Sequence, residues 1–118
     1  MNRRKRGKEY EDAAGDFLEK AGYRILGRNF RIGRNEIDII CTKNNALIFV
    51  EVKGGKSREF GDPVLKIDER KRKAIASVAE GFMQRSLVTY DAYRFDVVVV
   101  SEKNKFLEIE QIESAFTL

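Results

Sequence analysis

The chain has 118 residues, of which 42% are hydrophobic and 36% charged, and its formal net charge is +4. This balance favours one folded domain with an anionic partner, and nucleic acid is the first candidate. The chain has no histidine and a single cysteine, Cys41, which excludes histidine-based triads, most zinc sites and an internal disulfide.

The N-terminal residues 1–6 are predicted to form a basic tail, and residues 7–118 a single domain. No apolar stretch follows the basic residues, so the segment is not a secretory signal. No run elsewhere approaches the length of a membrane helix. We therefore expect a cytoplasmic protein without a membrane partner.

The first half of the domain is predicted to be a helix followed by three strands. Apolar residues recur at helical spacing over 8–21, and a first strand covers 23–32. A turn at 33–35 opens the second strand, and Asn44-Asn45 separates it from the third. The third strand is expected to end at Gly54-Gly55.

The second half contains one long helix and further strands. The predicted elements are a loop over 56–64, a helix over 69–87 capped by Asp68, strands over 94–100 and 106–109, and a helical turn over 112–116. The unbroken β-branched run in 94–100 suggests a strand buried on both faces, and Asp96 in it either assists a site or caps the strand. The order α-β-β-β-α-β, followed by a short β-α, predicts a mixed α/β domain around one sheet.

The hairpin formed by the second and third strands carries the functional signal. A two-residue turn at Asn44-Asn45 places Asp38 opposite Glu51, and Glu36 opposite Lys53, with Cβ atoms about 5 Å apart. Two carboxylates at that distance repel by about 3 kcal/mol at an effective dielectric constant near 20. A divalent cation between them would reverse the sign of this interaction.

The two faces of the hairpin differ in polarity. One face is wholly apolar and is predicted to pack on a helix; it consists of Ile37, Ile39, Cys41, Ile48, Val50 and Val52. The other face is apolar near the turn and charged at the far end. We expect a helix to cover its apolar half and to leave the charged half as an open cleft.

Carboxylate oxygens suit Mg²⁺ or Mn²⁺, and such a cation activates water and neutralises charge on a phosphoryl group. Lys53 beside the cation can orient that water, so the pattern predicts phosphodiester hydrolysis. The alternative is a solvent-facing strand end with a Glu36–Lys53 ion pair.

A third acid for the site can come from the first helix, where Glu9 and Glu11 flank the apolar stripe. Helical periodicity does not favour one of them over the other. The simpler interpretation of either residue taken alone is a solvated glutamate in the first turn of a helix.

Asp38 followed by Glu51-x-Lys53 resembles the PD-(D/E)xK nuclease motif. Over nearly its whole length the chain also resembles the YraN-like family of small bacterial proteins, which are similar to archaeal Holliday junction resolvases. The matching segments are Gly7-x-x-x-Glu11-x-x-Ala14, Gly22-Tyr23-x-Ile25-Leu26-x-Arg28-Asn29-Phe30, Glu36-Ile37-Asp38, Phe49-Val50-Glu51-Val52-Lys53, Phe60-Gly61-x-Pro63, Lys71 and Arg94-Phe95-Asp96-Val97-Val98.

The resemblance implies a restriction-endonuclease-like fold and a metal-dependent endonuclease that acts on DNA rather than RNA, on branched or flapped structures, and as a homodimer. It implies that Asp38 and Glu51 are metal ligands for Mg²⁺ or Mn²⁺ and that Lys53 is the catalytic lysine. It also favours Glu11 over Glu9 as the third ligand. The alternatives are a non-catalytic nucleic-acid-binding module on the same fold and an interaction protein whose acids are structural.

The chain departs from the family pattern at two positions near the motif. Asn35 replaces a usual glycine, and Gly55 replaces a usual arginine, for which Lys56 can substitute. Four consecutive cations at 70–73 open the second helix, where they oppose the helix dipole and suggest an anion that meets them. The side chains predicted to contact nucleic acid are Arg34, Lys56, Arg58 and Lys71.

Overall fold

A five-stranded mixed sheet forms the centre of the structure, a computed structural model that describes residues 3–56 and 67–117. The elements within these residues are α1 (Arg3–Lys20), β1 (Arg24–Ile32), β2 (Asn35–Lys43), β3 (Ala46–Lys56), α2 (Glu69–Arg85), β4 (Ala92–Lys103) and β5 (Phe106–Phe116). The predicted mixed α/β class and its α-β-β-β-α-β order are confirmed. This order around one mixed sheet is that of the restriction-endonuclease-like fold implied by the resemblance.

The strands follow one another across the sheet in chain order. β3 and β4 are parallel, and the other neighbouring pairs are antiparallel. α2 lies in the crossover that the parallel pair requires. The two helices pack on two separate clusters of buried residues, so that each covers its own face of the sheet.

The α1 core contains Ala14 and Leu18 of the helix, packed with strand residues Ile39, Cys41, Ile48, Val50, Val98 and Val100. The α2 core contains Ile75, Val78 and Ala79, packed with strand residues Ile37, Ile40, Leu47, Phe49, Phe95, Val97 and Val99. Alternate residues of β4 therefore enter opposite cores, which confirms that this strand is buried on both faces. Cys41 is fully buried, as expected of a small apolar side chain.

The predicted hairpin register is confirmed over the paired residues of β2 and β3, which run from Lys43↔Ala46 to Ile39↔Val50. Asn44 and Asn45 have φ values of 52° and 61°. Positive φ at both central residues is the requirement of a type I′ turn, which asparagine tolerates. The local turn chemistry thus fixes the register of the whole hairpin.

Three predicted element boundaries are wrong. α1 begins at Arg3, so the helix includes most of the segment predicted as a tail. β3 continues through Gly54-Gly55 to Lys56, where parallel pairing with β4 holds the glycines in the strand. A Cβ at Gly54 would overlap the ring of Tyr10, so this glycine serves the packing of α1 and does not break the strand.

The third wrong prediction concerns the C-terminal segment. β5 is one strand over Phe106–Phe116, and the helical turn predicted over 112–116 is absent from it. Antiparallel pairing with β4 extends the strand, and the ring of Phe116 stacks on Phe95 at 5.1 Å in the α2 core. Long-range pairing and burial of Phe116 outweigh a weak local helical preference.

The second helix begins as predicted, because Asp68 accepts a hydrogen bond from the Lys71 backbone N–H at 2.9 Å. It ends at Arg85, slightly earlier than predicted. The predicted loop beyond Lys56, with Arg58 and the Phe60-Gly61-x-Pro63 segment, lies outside the described residues. No described helix is both long and apolar enough to cross a membrane.

Candidate metal centre

The site lies where β2 and β3 separate. Their pairing ends at Ile39↔Val50, and one residue further the Asp38 carboxylate accepts the Val52 backbone N–H at 2.7 Å. The carboxylate thus takes a backbone donor that a continuing ladder would have used. This hydrogen bond fixes the Asp38 side chain against the end of β3.

Side-chain alternation breaks at the same point. Ile37 belongs to the α2 core together with Ile40, whereas Ile39 belongs to the α1 core. The prediction that Ile37 shares a face with Ile39 is therefore wrong. An irregular strand changes which side its residues face, and here the change occurs at Asp38.

Three carboxylates meet at this irregularity. Glu11 of α1 and Glu36 and Asp38 of β2 each offer an oxygen, and these oxygens lie within 4.8 Å of one another. Glu9 is exposed and lies outside this group. Of the two helix acids that periodicity left open, the structure brings Glu11 to the strand.

Glu36 is the acid whose place sequence reasoning missed. We expected it opposite Lys53, but its carboxylate accepts a hydrogen bond from the Arg31 side chain at 2.7 Å. The alternative interpretation expected a Glu36–Lys53 ion pair, but Glu36 pairs with Arg31 of β1. The two-residue spacing of Glu36 and Asp38 on one strand was the signal that could have grouped them.

Glu51 lies next to this group but outside it. Its side chain is 8% exposed, and its charge repels that of Asp38. The Glu51 Oε1 atom is 3.9 Å from Lys53 Nζ and 3.8 Å from Lys71 Nζ. Glu51 therefore links the acids to two cations, one on β3 and one on α2.

Burial and mutual repulsion disfavour the charged forms of these acids. Burial, together with the charge of Glu51, raises the pKa of Asp38 from its usual 3.8 to about 7, against the opposing Val52 hydrogen bond. Burial raises the pKa of Glu51 as well, although Lys71 and Lys53 oppose the rise. Burial also raises the pKa of Glu11. The folded protein therefore disfavours charge on both Asp38 and Glu51 unless a cation compensates it.

The unfolding free energy of the metal-free protein is expected to fall as the pH rises from about 4 to about 7. In this range unfolded Asp38 has lost its proton whereas folded Asp38 retains it, so low pH favours the folded state. The loss cannot exceed about 4 kcal/mol for such a change in pKa. Denaturant unfolding in EDTA at several pH values measures it. The difference between wild type and Asp38→Asn isolates this carboxyl, and a pH-independent difference would contradict the burial of a titrating Asp38.

The donor set fits a hard divalent cation. All three groups offer carboxylate oxygens, the ligands that Mg²⁺ and Mn²⁺ prefer. Oxygens bound to one Mg²⁺ at 2.0–2.1 Å lie at most about 4.2 Å apart, so a spacing within 4.8 Å needs only small side-chain rotations. Burial is the first cause of the raised pKa values of Glu11 and Asp38, and repulsion from neighbouring acids adds to it; a bound cation would offset both.

Two β1 residues hold Glu11 in place. The Asn29 side-chain amide donates to the Glu11 carboxylate at 3.1 Å, and Arg28 Nη2 lies 3.8 Å from the same oxygen. Asn29 stands between the pairs Arg28↔Ile39 and Phe30↔Ile37, in register with Asp38. Its φ of 52° is in the left-handed region, which asparagine tolerates. Sequence reasoning assigned Asn29 no role.

Asn29→Gly is expected to weaken Mn²⁺ binding by about tenfold, because partners that orient a metal ligand typically contribute 10–100-fold to affinity. Glycine keeps the positive φ, so the backbone remains unstrained and only the amide contact with Glu11 is lost. Titration calorimetry with Mn²⁺ measures the affinity. Asn104→Gly, at another asparagine with positive φ (49°) in the β4–β5 turn, is the matched control and should leave it unchanged. Equal effects of both substitutions would refute a positioning role.

Glu11, Asp38 and Glu51 line a cleft of about 540 Å³ between α1 and β3, which is also lined by Tyr10 and Lys53. Of the side chains predicted to contact nucleic acid, Lys71 lies beside Glu51, and Arg34 lies in the β1–β2 turn next to Glu36. Lys56 is exposed at the end of β3. Gly55, which replaces the usual arginine, leaves no side chain in the cleft wall.

The fold class of this protein is mixed α/β around one sheet, with an acidic cluster at the open end of the β2–β3 hairpin. More specifically, the chain belongs to the uncharacterised protein family UPF0102, whose sequence model matches residues 10–100. This confirms the resemblance to the YraN-like family.

Relatives in this family match the chain along its length. The UPF0102 protein of Caldicellulosiruptor saccharolyticus is 45% identical over 118 residues, covering 98% of this chain and 100% of the relative. That of Chloroherpeton thalassium is 42% identical, covering 93% and 92%. The solved structure of Pyrococcus furiosus SfsA in complex with Ca²⁺ is also similar, at 17% identity and a TM-score of 0.38, covering 96% of this chain and 64% of the SfsA chain.

Proposed function

We propose that the protein is a metal-dependent nuclease that hydrolyses phosphodiester bonds in DNA, with Mg²⁺ or Mn²⁺ as its metal. One observation carries the proposal: carboxylate oxygens of Glu11, Glu36 and Asp38 converge within 4.8 Å beside Glu51 and Lys53. Such a placement of acids costs stability, and its raised pKa values fit a site that is completed by a cation.

Asp38 would be the central ligand, because it belongs to the three-acid group with Glu11 and Glu36 and its carboxylate also interacts electrostatically with Glu51. The predicted ligand set was Glu11, Asp38 and Glu51; Glu36 joins it as a further candidate. The bound cation supplies Lewis acidity toward the phosphoryl oxygen and lowers the pKa of the attacking water.

Lys53 assists at the reacting phosphate. Its side chain is 28% exposed on the cleft wall, so it is accessible to a substrate oxygen while Glu51 at 3.9 Å restrains its ammonium group. An ammonium group there orients the water and stabilises the negative charge that develops on the phosphoryl oxygens. The arrangement needs no histidine, which agrees with a chain that contains none.

The substrate assignment rests on charge and on the family resemblance. A net charge of +4 favours a polyanion, and Arg34 and Lys71 lie next to the acids. The choice of DNA over RNA, the preference for branched or flapped structures and a homodimeric assembly come from the resemblance to resolvases.

The test is a cleavage assay on Holliday junctions, flaps, linear duplexes and single strands, with matched RNA, in Mg²⁺, Mn²⁺ or EDTA. We expect metal-dependent cleavage of at least one DNA substrate by the wild type and none in EDTA. Asp91→Asn, which changes an acid near the hairpin turn, is the control and should cut like wild type. If every substrate stays intact while DNA binding is strong and salt-dependent, the protein is instead a non-catalytic nucleic-acid-binding module.

A further inference from the structure

A second cavity lies beside the acidic cluster, between the β1–β2 turn and the beginning of α2. Its volume is about 660 Å³. Its charged lining side chains are four cations, Arg34, Lys53, Arg70 and Lys71, and two acids, Glu36 and Asp68. A concave wall with an excess of positive charge concentrates anions.

Both acids of this wall already have partners. Glu36 accepts a hydrogen bond from Arg31 at 2.7 Å, and Asp68 accepts the Lys71 backbone N–H at 2.9 Å. Among the cations, Lys53 and Lys71 are near Glu51. Within residues 3–56 and 67–117, Arg34 and Arg70 form no ion pair, and both are exposed. Two guanidinium groups therefore remain for a ligand.

The position of Arg70 points the same way. It lies in the first turn of α2, where a cation is unfavourable because the N-terminal end of the helix dipole is positive. Helix stability therefore does not explain this residue. A guanidinium group offers two parallel N–H donors that match a phosphate, so an anionic phosphate compensates both the dipole and the neighbouring charges.

The cavity adjoins the candidate metal centre. Lys53 lines both this cavity and the cleft that contains Asp38 and Glu51. Glu36 lines the cavity and belongs to the three-acid group. A ligand held by Arg34 and Arg70 is therefore a direct neighbour of a phosphate at the metal.

We propose that this cavity binds one phosphodiester of the nucleic-acid strand, the one adjacent to the scissile phosphodiester, and that Arg34 and Arg70 hold it. The inference rests on the proposed function for its substrate, and it adds the path of the strand. The nucleic-acid strand passes from the β1–β2 turn and α2, across Lys53, to the acids at the beginning of β2. The cavity is therefore a subsite for the sugar–phosphate backbone and reads no base.

The first test is binding of a 20-base-pair DNA duplex with 5′-hydroxyl ends, followed by fluorescence anisotropy in EDTA so that no cleavage occurs. The double variant Arg34→Gln/Arg70→Gln is expected to bind about tenfold more weakly and to lower the slope of log affinity against log salt by about 1. The control is Lys20→Gln/Lys103→Gln, which removes the same charge from exposed positions outside the cavity. Equal losses in both double variants would overturn the proposal.

The second test locates the contact by replacing single phosphodiesters with uncharged methylphosphonates next to the branch point of an immobile DNA junction. The branch point fixes the position of the protein, which a uniform duplex cannot do for a site that reads no base. In the wild type, one linkage is expected to weaken binding by about tenfold when neutralised, and in the Arg34→Gln/Arg70→Gln variant the same linkage should have no further effect. Uniform tolerance at every linkage, or an unchanged loss in the variant, would overturn the subsite.

A third arm compares duplexes that carry 5′-phosphate or 5′-hydroxyl ends. An effect of the double variant confined to 5′-phosphorylated DNA would mean a terminal phosphate monoester in the cavity and would overturn the internal contact. These outcomes are separate from catalysis. Position-specific DNA binding without cleavage in any metal would refute the nuclease proposal and support the backbone contact. Cleavage by the wild type, together with unchanged DNA binding by the Arg34→Gln/Arg70→Gln variant, would support the nuclease proposal and refute the backbone contact.

Discussion

Asp38→Asn is expected to lower metal-dependent DNA cleavage by at least about 100-fold, comparable to the loss of one essential charge-stabilising group in other enzymes. The amide has the size of the carboxylate, and its oxygen can still accept the Val52 N–H seen at 2.7 Å. It removes the charge, however, and leaves one oxygen acceptor where the cation requires an anionic ligand. The fold should persist while the metal affinity falls.

The same substitution is expected to stabilise the metal-free protein at pH 8 by about 1–3 kcal/mol, since it removes a carboxylate whose pKa is raised to about 7 by burial and by Glu51. Denaturant unfolding in EDTA and in Mg²⁺ measures this change. Mg²⁺ should stabilise the wild type but not the variant. Asp91→Asn is the control in both assays. A structural role for the acids predicts a different result, in which Asp38→Asn stabilises equally with and without Mg²⁺ and cleavage is absent throughout.

Asp96→Ala is expected to destabilise the protein by about 3–5 kcal/mol, the usual cost of removing one partner of a buried ion pair. Asp96 is 0% exposed. Its carboxylate accepts hydrogen bonds from the Arg94 side chain at 3.0 Å, from Gln111 at 2.9 Å and from the Ser114 backbone N–H at 3.0 Å. The substitution leaves the Arg94 charge and these donors without their acceptor.

Equilibrium unfolding in denaturant measures the loss. Glu113→Ala is the matched control, because Glu113 pairs with the same Arg94 at 3.1 Å but its side chain is 61% exposed; its loss should cost less than about 1 kcal/mol. Mn²⁺ affinity distinguishes the two roles that the sequence left open for Asp96. Unchanged affinity in the folded variant would assign Asp96 to the β4–β5 pairing, whereas a stable variant with weakened Mn²⁺ binding would assign it to the site.

Much of this fold follows from local chemistry. The Asn44-Asn45 turn fixes the register of β2 and β3, since positive φ at both positions is a property of those two residues. Asp68 begins α2 because its side chain caps the helix, and the valine run of β4 is buried on both faces. In each case neighbouring residues carry enough information to select one structure.

The choice of acids needed contacts between distant residues. Periodicity could not separate Glu9 from Glu11, because the decision depends on how α1 packs on the sheet through Ala14 and Leu18. Asn29 is remote from Glu11 in the chain, and nothing in its local sequence indicates that its amide reaches that carboxylate. The family resemblance favoured Glu11 over Glu9 as the third acid, and the packing of α1 on the sheet explains why Glu11 reaches the strand.

By itself the sequence determined the α/β order, the hairpin register and the presence of acids beside Lys53, because turns, caps and alternation act over a few residues. Only the tertiary structure decided three further features. Alternation breaks at Asp38 because the carboxylate takes the Val52 N–H. Glu36 turns to Arg31 and joins Asp38 and Glu11 rather than Lys53. The last segment becomes β5 because β4 offers it an edge to pair with. These features depend on strands that meet only after folding, and the two-residue spacing of Glu36 and Asp38 is the one local pattern that pointed to any of them.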